Sequence, residues 1–513
     1  KVIDNSLIVG YRFSKGWAPC QKVFFAARFS KPFSGFQTFC SDTKGKESKG
    51  VFSKGVFSFD EKSGNQIIVK VATSSASIDG ALKTLNADVN GFDFNKVSAK
   101  ADAAWNHELS KFSVETPDKD QKTIFYTALY HSFIAPSTYS DIQGEYKGYN
   151  NTTKKAVGYT KYTILSLWDT FRALNPLLTI SNPLMVNDLV KSMLDQYEET
   201  GLLPVWELTG NETNCMIGYH AIPVITDAIL KGIGDFDRET AYKAMIASSM
   251  SDQRGLKYYR EIGYIPADKE TESASKVLEY CYDDYCIAQV AKFLGKENDY
   301  QTYMKRSQNY RNQFDTSVGF MRGRNSDGSW VTPFDPAYSK HETGVFTEGN
   351  AWQWTWFVPH DILGLANLMG GKEKMISKLD QLFLESSVIK GENSSPDISG
   401  LIGQYAHGNE PVHHVIYMFN ALGAPWKTQE KADMVMKTLY TSKPDGLCGN
   451  DDCGQMSAWY AFNAMGLYPA NAVSGRYELG SPRFTKTEIK LANGKVFRIM
   501  APGVSKTNIY IQS

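Results

Sequence analysis

The spacing of apolar residues changes twice along the chain, and each change predicts a change of architecture. Residues 1–102 contain short β-rich runs such as 23–29 and 66–72, which Gly and Ser clusters separate. Over residues 103–470 apolar positions recur at the spacing of helices. The pattern of residues 471–513 is again that of strands. We therefore expect strands, then a long helical region, then strands.

The helical region contains one segment whose two ends can be predicted. Pro183, after Asn182, occupies a favoured first helical position, and Gly201 provides the stop signal. The apolar residues between them recur every three or four positions, which is typical of a helix with one buried face. Further helices are predicted over 273–295, 298–315, 376–386, 411–423 and 428–441.

The C-terminal region carries a hairpin signal. Asn493-Gly494 lies between the strand-like runs 487–491 and 496–500, and Asn-Gly is a strong two-residue turn sequence. Residues 508–511 are predicted as one more strand.

Length and charge exclude several classes of protein. A chain of 513 residues with 42% hydrophobic residues can form more than one core, and length alone suggests two to four domains. The formal net charge is zero and there is no long basic run, which argues against nucleic acid as a partner. No apolar run reaches the roughly 18 residues of a membrane span.

The cysteines leave the redox compartment open. Cys281 and Cys286 form one Cys-x4-Cys pair and Cys448 and Cys453 another, and both pairs fit either disulfides or buried thiols. Their spacing is not that of a zinc site, and no matching His pair follows.

Three acidic motifs with Gly and Asn neighbours carry the candidate chemistry. Glu348 precedes a Trp-rich run that includes Trp352, Glu410 lies between Asn409 and Pro411, and Asp451 and Asp452 follow Asn450. Carboxylates beside aromatic side chains suit a site that cleaves sugars, because acids move protons and flat rings stack on a pyranose. The alternative for each acid is structural, as a helix cap or a turn residue.

Other pairs of polar and aromatic residues can likewise be interpreted as either functional or structural. Trp168-Asp169 and Trp206-Glu207 offer a stacking ring and a carboxylate, although a buried Trp is more often a core residue. His220 precedes an apolar helix and is a candidate for a shared cavity. Polar clusters recur at intervals of about 40 to 65 residues, which fits two helices and their loops. The periodicity is that of a barrel of six helical hairpins.

At these motifs the chain resembles glycoside hydrolase family 92, the calcium-dependent, inverting exo-α-mannosidases of bacteria. The resemblance covers nearly the whole chain and is carried by the motifs above together with the segments 10–17, 29–33, 166–170, 216–220 and 477–482. It implies an (α/α)6 helical-hairpin barrel over 103–470. An incomplete antiparallel β-sandwich would precede the barrel over 1–102, and C-terminal strands would follow over 471–513. It also implies that part of the sandwich lies in a missing N-terminal segment.

The resemblance assigns roles to the acidic residues. Glu348 would be the general acid and Asp452 the base, with Asp451 left open as the other choice. Asn409, Glu410 and Asp452 would hold Ca²⁺. These roles are implied by the resemblance, and the spacing of the acidic residues along the chain does not establish any of them.

The remaining matches concern the substrate. Trp168 and Asp169 would hold the terminal sugar of a mannose-containing glycan, and the other substrate-binding candidates are Trp206, Glu207, His220, His407 and Trp352. In the family pattern, α-1,2-cleaving members carry His-Glu before the Asn-Glu-Pro loop, whereas this chain has His407-Gly408, so the resemblance argues against strict α-1,2 activity. The resemblance implies export from a bacterial cell. The alternatives are a non-catalytic mannoside-binding protein on the same scaffold and a barrel glycosidase for another sugar.

Overall fold

The computed structural model describes residues 1–39, 42–60 and 66–512, which form two compact units. The first unit comprises Lys1–Glu108, Ser137–Ile164 and Glu207–Thr213. The second comprises Leu109–Pro136, Leu165–Trp206 and Asn214–Ser513. The domain boundaries at 102 and 470 stay predictions.

The strands are short outside the N-terminal region. In chain order they are β1 Val2–Asp4, β2 Leu7–Ser14, β3 Gln21–Phe29, β4 Gly35–Phe39, β5 Asp42–Lys44, β6 Glu47–Lys49, β7 Lys54–Ser58, β8 Val69–Ser74, β9 Phe112–Glu115, β10 Ser137–Thr138, β11 Glu145–Lys147, β12 Thr153–Lys155, β13 Tyr162–Thr163, β14 Leu165–Ser166, β15 Trp206–Glu207, β16 Phe314–Asp315, β17 Phe320–Met321, β18 Leu401–Ile402, β19 Tyr405–Ala406, β20 Leu467–Tyr468, β21 Glu478–Leu479, β22 Lys486–Lys490 and β23 Val496–Met500.

Among the described residues, two helices precede residue 119, and helices dominate the region from 119 to 465. They are α1 Ile78–Asp88, α2 Phe94–Leu109, α3 Lys119–Ser132, α4 Leu167–Thr170, α5 Leu174–Ser181, α6 Pro183–Thr200, α7 Ala221–Leu230, α8 Arg238–Ser249, α9 Leu256–Ile262, α10 Ser273–Phe293, α11 Glu297–Arg306, α12 Ala351–Trp354, α13 Ile362–Leu368, α14 Lys372–Leu384, α15 Met418–Leu422, α16 Pro425–Leu439 and α17 Gln455–Met465.

The core of the first unit lies under an antiparallel sheet with the strand order β1-β2-β3-β8. Leu7 and Val9 of β2 and Ala26 of β3 pack against Ala81 and Leu85 of α1. The alternation of buried Leu7 and Val9 with less buried neighbours is the two-residue period expected of a sheet with one covered face.

The second unit is built from packed helices. Helix α10 packs against α7, α8 and α11, and α17 packs against α3, α5 and α16. Because α3 and α17 are the first and last helices of this unit, their contact brings its two ends together. Helix α10 is buried along nearly its whole length and carries several acidic side chains inside the unit.

The helix predictions were most accurate where capping signals were present. Helix α6 spans Pro183–Thr200, and Gly201 ends it in the left-handed conformation at φ +83°. The predicted helix at 411–423 was only partly right, because the chain there forms two 3₁₀ turns, Glu410–Val412 and Val415–Tyr417, before the short helix Met418–Leu422.

The C-terminal hairpin is confirmed, but the last predicted strand is wrong. Strands β22 and β23 pair antiparallel around Gly494, whose φ is +79°. Residues 508–511 form no strand, and two of their backbone groups bond to side chains instead. The Ile511 N–H donates to Gln429 Oε1, and the Ile509 carbonyl accepts from Ser481 Oγ.

The described cysteines are free thiols, including both members of each Cys-x4-Cys pair. Cys40 lies outside the described residues. Within the described ranges, none of the helices has the length and apolar character needed to cross a membrane.

Candidate active site

Three carboxyl groups meet in the second unit. Asp169, Glu410 and Asp452 each offer an oxygen atom, and these oxygens lie within 4.8 Å of one another. They come from three distant stretches of chain, namely α4, the 3₁₀ turn at Glu410–Val412 and the loop before α17. Three acids so close together require positive charge or shared protons.

Glu410 is the centre of this acidic cluster, which we define as Asp169, Glu410 and Asp452. Its side chain is fully buried, and neither carboxylate oxygen accepts from an N–H or hydroxyl group among the described residues. A proton on Glu410 would form a hydrogen bond to Asp452, which lowers the pKa of Asp452. Burial raises the pKa of Glu410, and the charges of Asp169 and Asp452 raise it further. A buried carboxylate without a donor is costly, so this position fits a bound cation.

Glu348 lies beside the cluster in a constrained loop. Its backbone is in the left-handed region at φ +42°, an uncommon conformation for a residue with a side chain. Asn409 Nδ2 donates to the Glu348 carbonyl oxygen at 3.0 Å and to its Oε2 at 3.2 Å. Burial raises the pKa of Glu348 to about 7, and the charges of Asp397 and Asp452 add to this effect. A carboxyl group that keeps its proton near neutral pH can act as a general acid.

The loop of Glu348 is fixed by the start of α12. Asn350 caps this helix, with its side chain accepting from the N–H groups of Trp352 and Gln353 while Gln353 bonds back to the Asn350 N–H. The indole Nε1 of Trp354 donates to the Thr347 carbonyl at 2.6 Å. Local sequence therefore sets the unusual backbone of Glu348 through a capping box and a buried Trp.

Asp451 and Asp452 have different environments. Asp452 has φ +46° and belongs to the cluster, and burial together with the charges of Asp397 and Asp451 raises its pKa to about 6. Asp451 instead accepts from the N–H (3.0 Å) and Oγ (2.7 Å) of Ser457. It also lines a cavity of about 520 Å³ together with His131. Asp451 thus anchors the loop to the start of α17, and Asp452 is the member of the pair that joins the other acids.

Trp168 and Asp169 lie together at the short helix α4. Asp169 accepts from Ser166 Oγ, and burial, together with the charge of Asp452, raises its pKa. The Trp168 ring is buried, and its Nε1 has no partner among the described residues. The site therefore contains a free indole donor next to a carboxyl group.

The predicted histidines are buried in hydrogen-bond networks. His220 bonds to Asp283 through Nδ1 at 2.8 Å and to Glu279 through Nε2, and burial lowers its pKa to about 4. His407 bonds to Tyr405 and Tyr440 through its two ring nitrogens, at 3.0 and 2.8 Å. Both rings have their nitrogen atoms engaged by protein groups, and their contact with substrate stays a prediction.

The remaining residues predicted from sequence have different surroundings. The Asn409 side chain bonds to Glu348 and to the Glu410 N–H, and its role as a calcium ligand stays a prediction. Trp352 is buried in an edge contact with Phe320, with ring centroids 4.7 Å apart. Trp206 is a buried residue of the second unit.

Glu207 belongs to the first unit. There it accepts from Thr163 Oγ1, Ile164 N and Gly210 N. Burial raises its pKa to about 7. Its assignment to substrate binding stays a prediction.

Three further residues influence the site and were not among the site residues predicted from sequence. The negative charge of Asp397 raises the pKa of both Glu348 and Asp452. Arg172 has the opposite effect on Asp169 and Glu410. Cys215 is an exposed thiol whose pKa is raised by partial burial and by the charges of Glu348 and Asp169. Of these three residues, only Arg172 could have been suggested by the sequence, because it lies three positions after Asp169.

Comparison with known proteins identifies the family. Residues 80–513 match the glycosyl hydrolase family 92 catalytic domain, and residues 1–74 match the glycosyl hydrolase family 92 N-terminal domain. The chain belongs to glycosyl hydrolase family 92. The family named from the sequence motifs is therefore confirmed.

Solved family 92 structures share the fold. A family GH92 alpha-mannosidase from Bacteroides thetaiotaomicron, in complex with mannoimidazole, is 42% identical with a TM-score of 0.93, and the alignment covers 99% of this chain and 69% of that one. A family GH92 inverting mannosidase from the same species is 34% identical with a TM-score of 0.86, covering 99% and 71%. The predicted fold class, helices and strands of a family 92 enzyme with an N-terminal sheet region, is confirmed.

A curated relative is more distant. An uncharacterized secreted glycosidase from Arthroderma benhamiae is 28% identical over 494 residues, which is 87% of this chain. The match spans 57% of that relative, so this chain corresponds to little more than half of its length.

Proposed function

We propose that this protein is an exo-acting α-mannosidase that releases terminal α-linked mannose from glycans by single displacement with inversion, with Ca²⁺ as its cofactor. The observation that carries the proposal is the buried Glu410 carboxylate, which has no donor among the described residues and lies with Asp169 and Asp452 beside a carboxyl group of raised pKa. Membership of a glycoside hydrolase family and the likeness to mannosidase structures support the substrate class.

Glu348 fits the acid role in this reaction. Its raised pKa keeps the carboxyl group protonated up to about neutral pH, and Asn409 holds its orientation. It would donate its proton to the glycosidic oxygen as the bond to the leaving sugar breaks.

Asp452 fits the base role. Removal of the proton from water requires a carboxylate placed in the site, and Asp452, unlike Asp451, lies in the acidic cluster. Attack by the activated water on the opposite face of the sugar would invert the anomeric centre.

The donor set of the cluster fits a hard cation. The oxygens of Asp169, Glu410 and Asp452 are the ligand type that calcium prefers, and the buried Glu410 needs a positive partner. When bound, the ion would supply positive charge that binds sugar hydroxyl groups and balances the carboxylates. The Trp168 indole N–H is a further donor that would orient the sugar.

The surroundings of Gly408 bear on linkage preference. A Cβ atom at this position would meet the Oγ of Ser399 and lie 3.1 Å from its backbone carbon. A larger side chain therefore requires Ser399 to move. The proposal that this enzyme is not strictly specific for α-1,2 linkages rests on Gly408 itself, which follows His407 where the α-1,2 pattern has Glu. The description of the curated relative as secreted supports export of this protein.

Mannose release after metal removal tests the proposal. We expect exhaustive EDTA treatment to abolish release from a mannose-terminated oligosaccharide and Ca²⁺ to restore it, and proton NMR of the first product should show the inverted anomer. Full activity without metal would disprove the calcium part. Binding of mannosides without any release over long incubation would show a non-catalytic binding protein instead.

A further inference from the structure

Gln455 is a buried residue that follows a loop with an unusual backbone. The three residues before it, Asp452, Cys453 and Gly454, have φ values of +46°, +57° and +96°. The Gln455 N–H donates to the Asp452 carbonyl oxygen at 3.2 Å, which closes the loop at the start of α17. Non-glycine residues stay in the left-handed region only where the surrounding structure fixes them. The placement of Asp452 therefore depends on the contacts that hold this loop.

The side-chain oxygen of Gln455 holds the start of α5. It accepts from the N–H groups of Ala173 at 3.0 Å and Leu174 at 3.1 Å. Ala173 is the N-cap residue of α5 and has no side-chain acceptor, so Gln455 satisfies donors that a capping side chain would otherwise take. Residues 171–173 join α5 directly to α4, the helix that contains Asp169. The oxygen thus restrains the segment of the first carboxyl group.

The side-chain nitrogen of Gln455 reaches the segment of Glu410. Because the oxygen accepts from two N–H groups, the orientation of the amide is fixed, and Nε2 donates to His413 Nδ1 at 3.1 Å. His413 is therefore the tautomer with its proton on Nε2, which donates to the His407 carbonyl at 3.1 Å. The backbone N–H of His413 donates to the Glu410 carbonyl at 3.0 Å. Gln455 is thus connected to the second carboxyl-bearing residue through His413.

We propose that Gln455 is a positioning residue that joins the three segments of the acidic cluster and sets the spacing of the oxygens that bind the cation. It holds one segment with its side-chain oxygen, the second with its side-chain nitrogen and the third through its own backbone. Gln455 and His413 are completely buried, so solvent does not compete for these bonds. This inference rests on the metal site in the proposed function and goes beyond it by naming the residue that assembles that site.

The affinity for Ca²⁺ tests this role directly. Gln455→Met keeps the length of the side chain and removes its three hydrogen bonds. Residues that orient metal ligands contribute to affinity without touching the ion, so we expect this variant to bind Ca²⁺ at least about tenfold more weakly. Titration calorimetry on the metal-depleted protein measures the affinity, and urea unfolding without metal measures the stability.

Asn463→Leu is the matched control. Asn463 is another completely buried amide of α17, and it accepts from Tyr417 Oη at 2.6 Å and donates to the Trp459 carbonyl at 2.8 Å. Its loss destabilises the same helix but leaves the bonds of Gln455 in place. We expect the affinity of Asn463→Leu for Ca²⁺ to stay within about threefold of the parent protein.

A second variant removes one of the same contacts from the other side. His413→Leu deletes the acceptor of Gln455 Nε2 and leaves the two bonds to α5 intact. It should also weaken Ca²⁺ binding by about tenfold, and it provides the test if Gln455→Met does not fold.

The outcomes distinguish two failures. If the parent protein binds no Ca²⁺, the metal site of the proposed function is wrong, and the role of Gln455 is wrong with it. If the parent binds Ca²⁺ and the Gln455 and His413 variants keep its affinity, the metal site stands and the positioning role is wrong. A loss of affinity in Asn463→Leu as large as in Gln455→Met would show general destabilisation and would also overturn the proposal.

Discussion

The side-chain amide of Asn409 joins the candidate acid to the acidic cluster, because it bonds to Glu348 and precedes Glu410 in the chain. Its Oδ1 also accepts from the Glu410 N–H at 3.1 Å. One residue therefore positions both groups. This arrangement links the protonation of Glu348 to the geometry of the loop that carries Glu410.

Substitution of Asn409 by Asp should shift the pH profile. Asn409→Asp keeps an oxygen for the Glu410 N–H but replaces the donor to Glu348 by a negative charge, which raises the pKa of Glu348 further. We expect the alkaline limb of kcat/KM to move up by about one pH unit, with a lower maximum. Asn325, whose side-chain amide donates to Ser329 Oγ at 3.1 Å, is the matched control, and Asn325→Asp should leave the limb in place. An unchanged limb in Asn409→Asp would show that the contact does not set the pKa.

The parent enzyme should lose activity above neutral pH. Glu348 has a pKa of about 7 and must be protonated to donate, so its active fraction falls as the pH rises through that value. We expect kcat/KM to fall roughly tenfold per pH unit above about pH 8. The profile of Glu348→Gln should lack this limb, and its persistence in the variant would assign it to another group.

The choice of substrate tests the role of Glu348 as an acid. Glu348→Gln should reduce turnover of unactivated mannosides by about 10²–10⁴-fold. Aryl mannosides with good leaving groups should lose much less, because they need little protonation. The measurement compares the loss of turnover on a mannose disaccharide with the loss on a nitrophenyl mannoside. Equal losses on both substrates would show that Glu348 is not the general acid.

The two adjacent aspartates should respond differently to substitution. Asp452→Asn removes the carboxylate that belongs to the cluster and should reduce kcat by at least about 10³-fold with little loss of stability. Asp451→Asn weakens the bonds to Ser457 and should lower the free energy of unfolding by about 1–2 kcal/mol, with a smaller effect on kcat. Steady-state kinetics and urea unfolding measure both. The reverse pattern would make Asp451 the base.

The sequence was most informative where a structure depends on neighbouring residues. Helix α6 begins at Pro183 and ends before Gly201 because both signals are local, and the hairpin at Gly494 follows from its two turn residues. The segment 508–511 has the composition of a strand, but no adjacent strand pairs with it among the described residues, so its backbone bonds to side chains. Strand pairing depends on residues that are far away in the sequence, so the local pattern does not predict it.

The acidic residues of the site could be predicted from the sequence, but the contacts between them could not. Glu348, Glu410 and Asp452 were chosen from their motifs, and the structure places them together, with Asn409 bonded to Glu348. Asp397 was missed because nothing near it in sequence suggests catalysis, and its effect depends on a fold that brings it near two other carboxyl groups. The distinction between Asp451 and Asp452 likewise follows from their partners.

The exposed Cys215 provides a reporter position for the site. Its thiol senses the charges of Glu348 and Asp169, so a fluorophore attached there would respond to ligands that change those charges or displace water around them. Because the pKa of the thiol is raised, labelling should proceed best at mildly alkaline pH. Among the described thiols Cys281 and Cys286 are buried and Cys20, Cys448 and Cys453 are partly buried, so Cys215 is the most accessible of them. Occupancy of the site could then be followed continuously, without a chromogenic substrate.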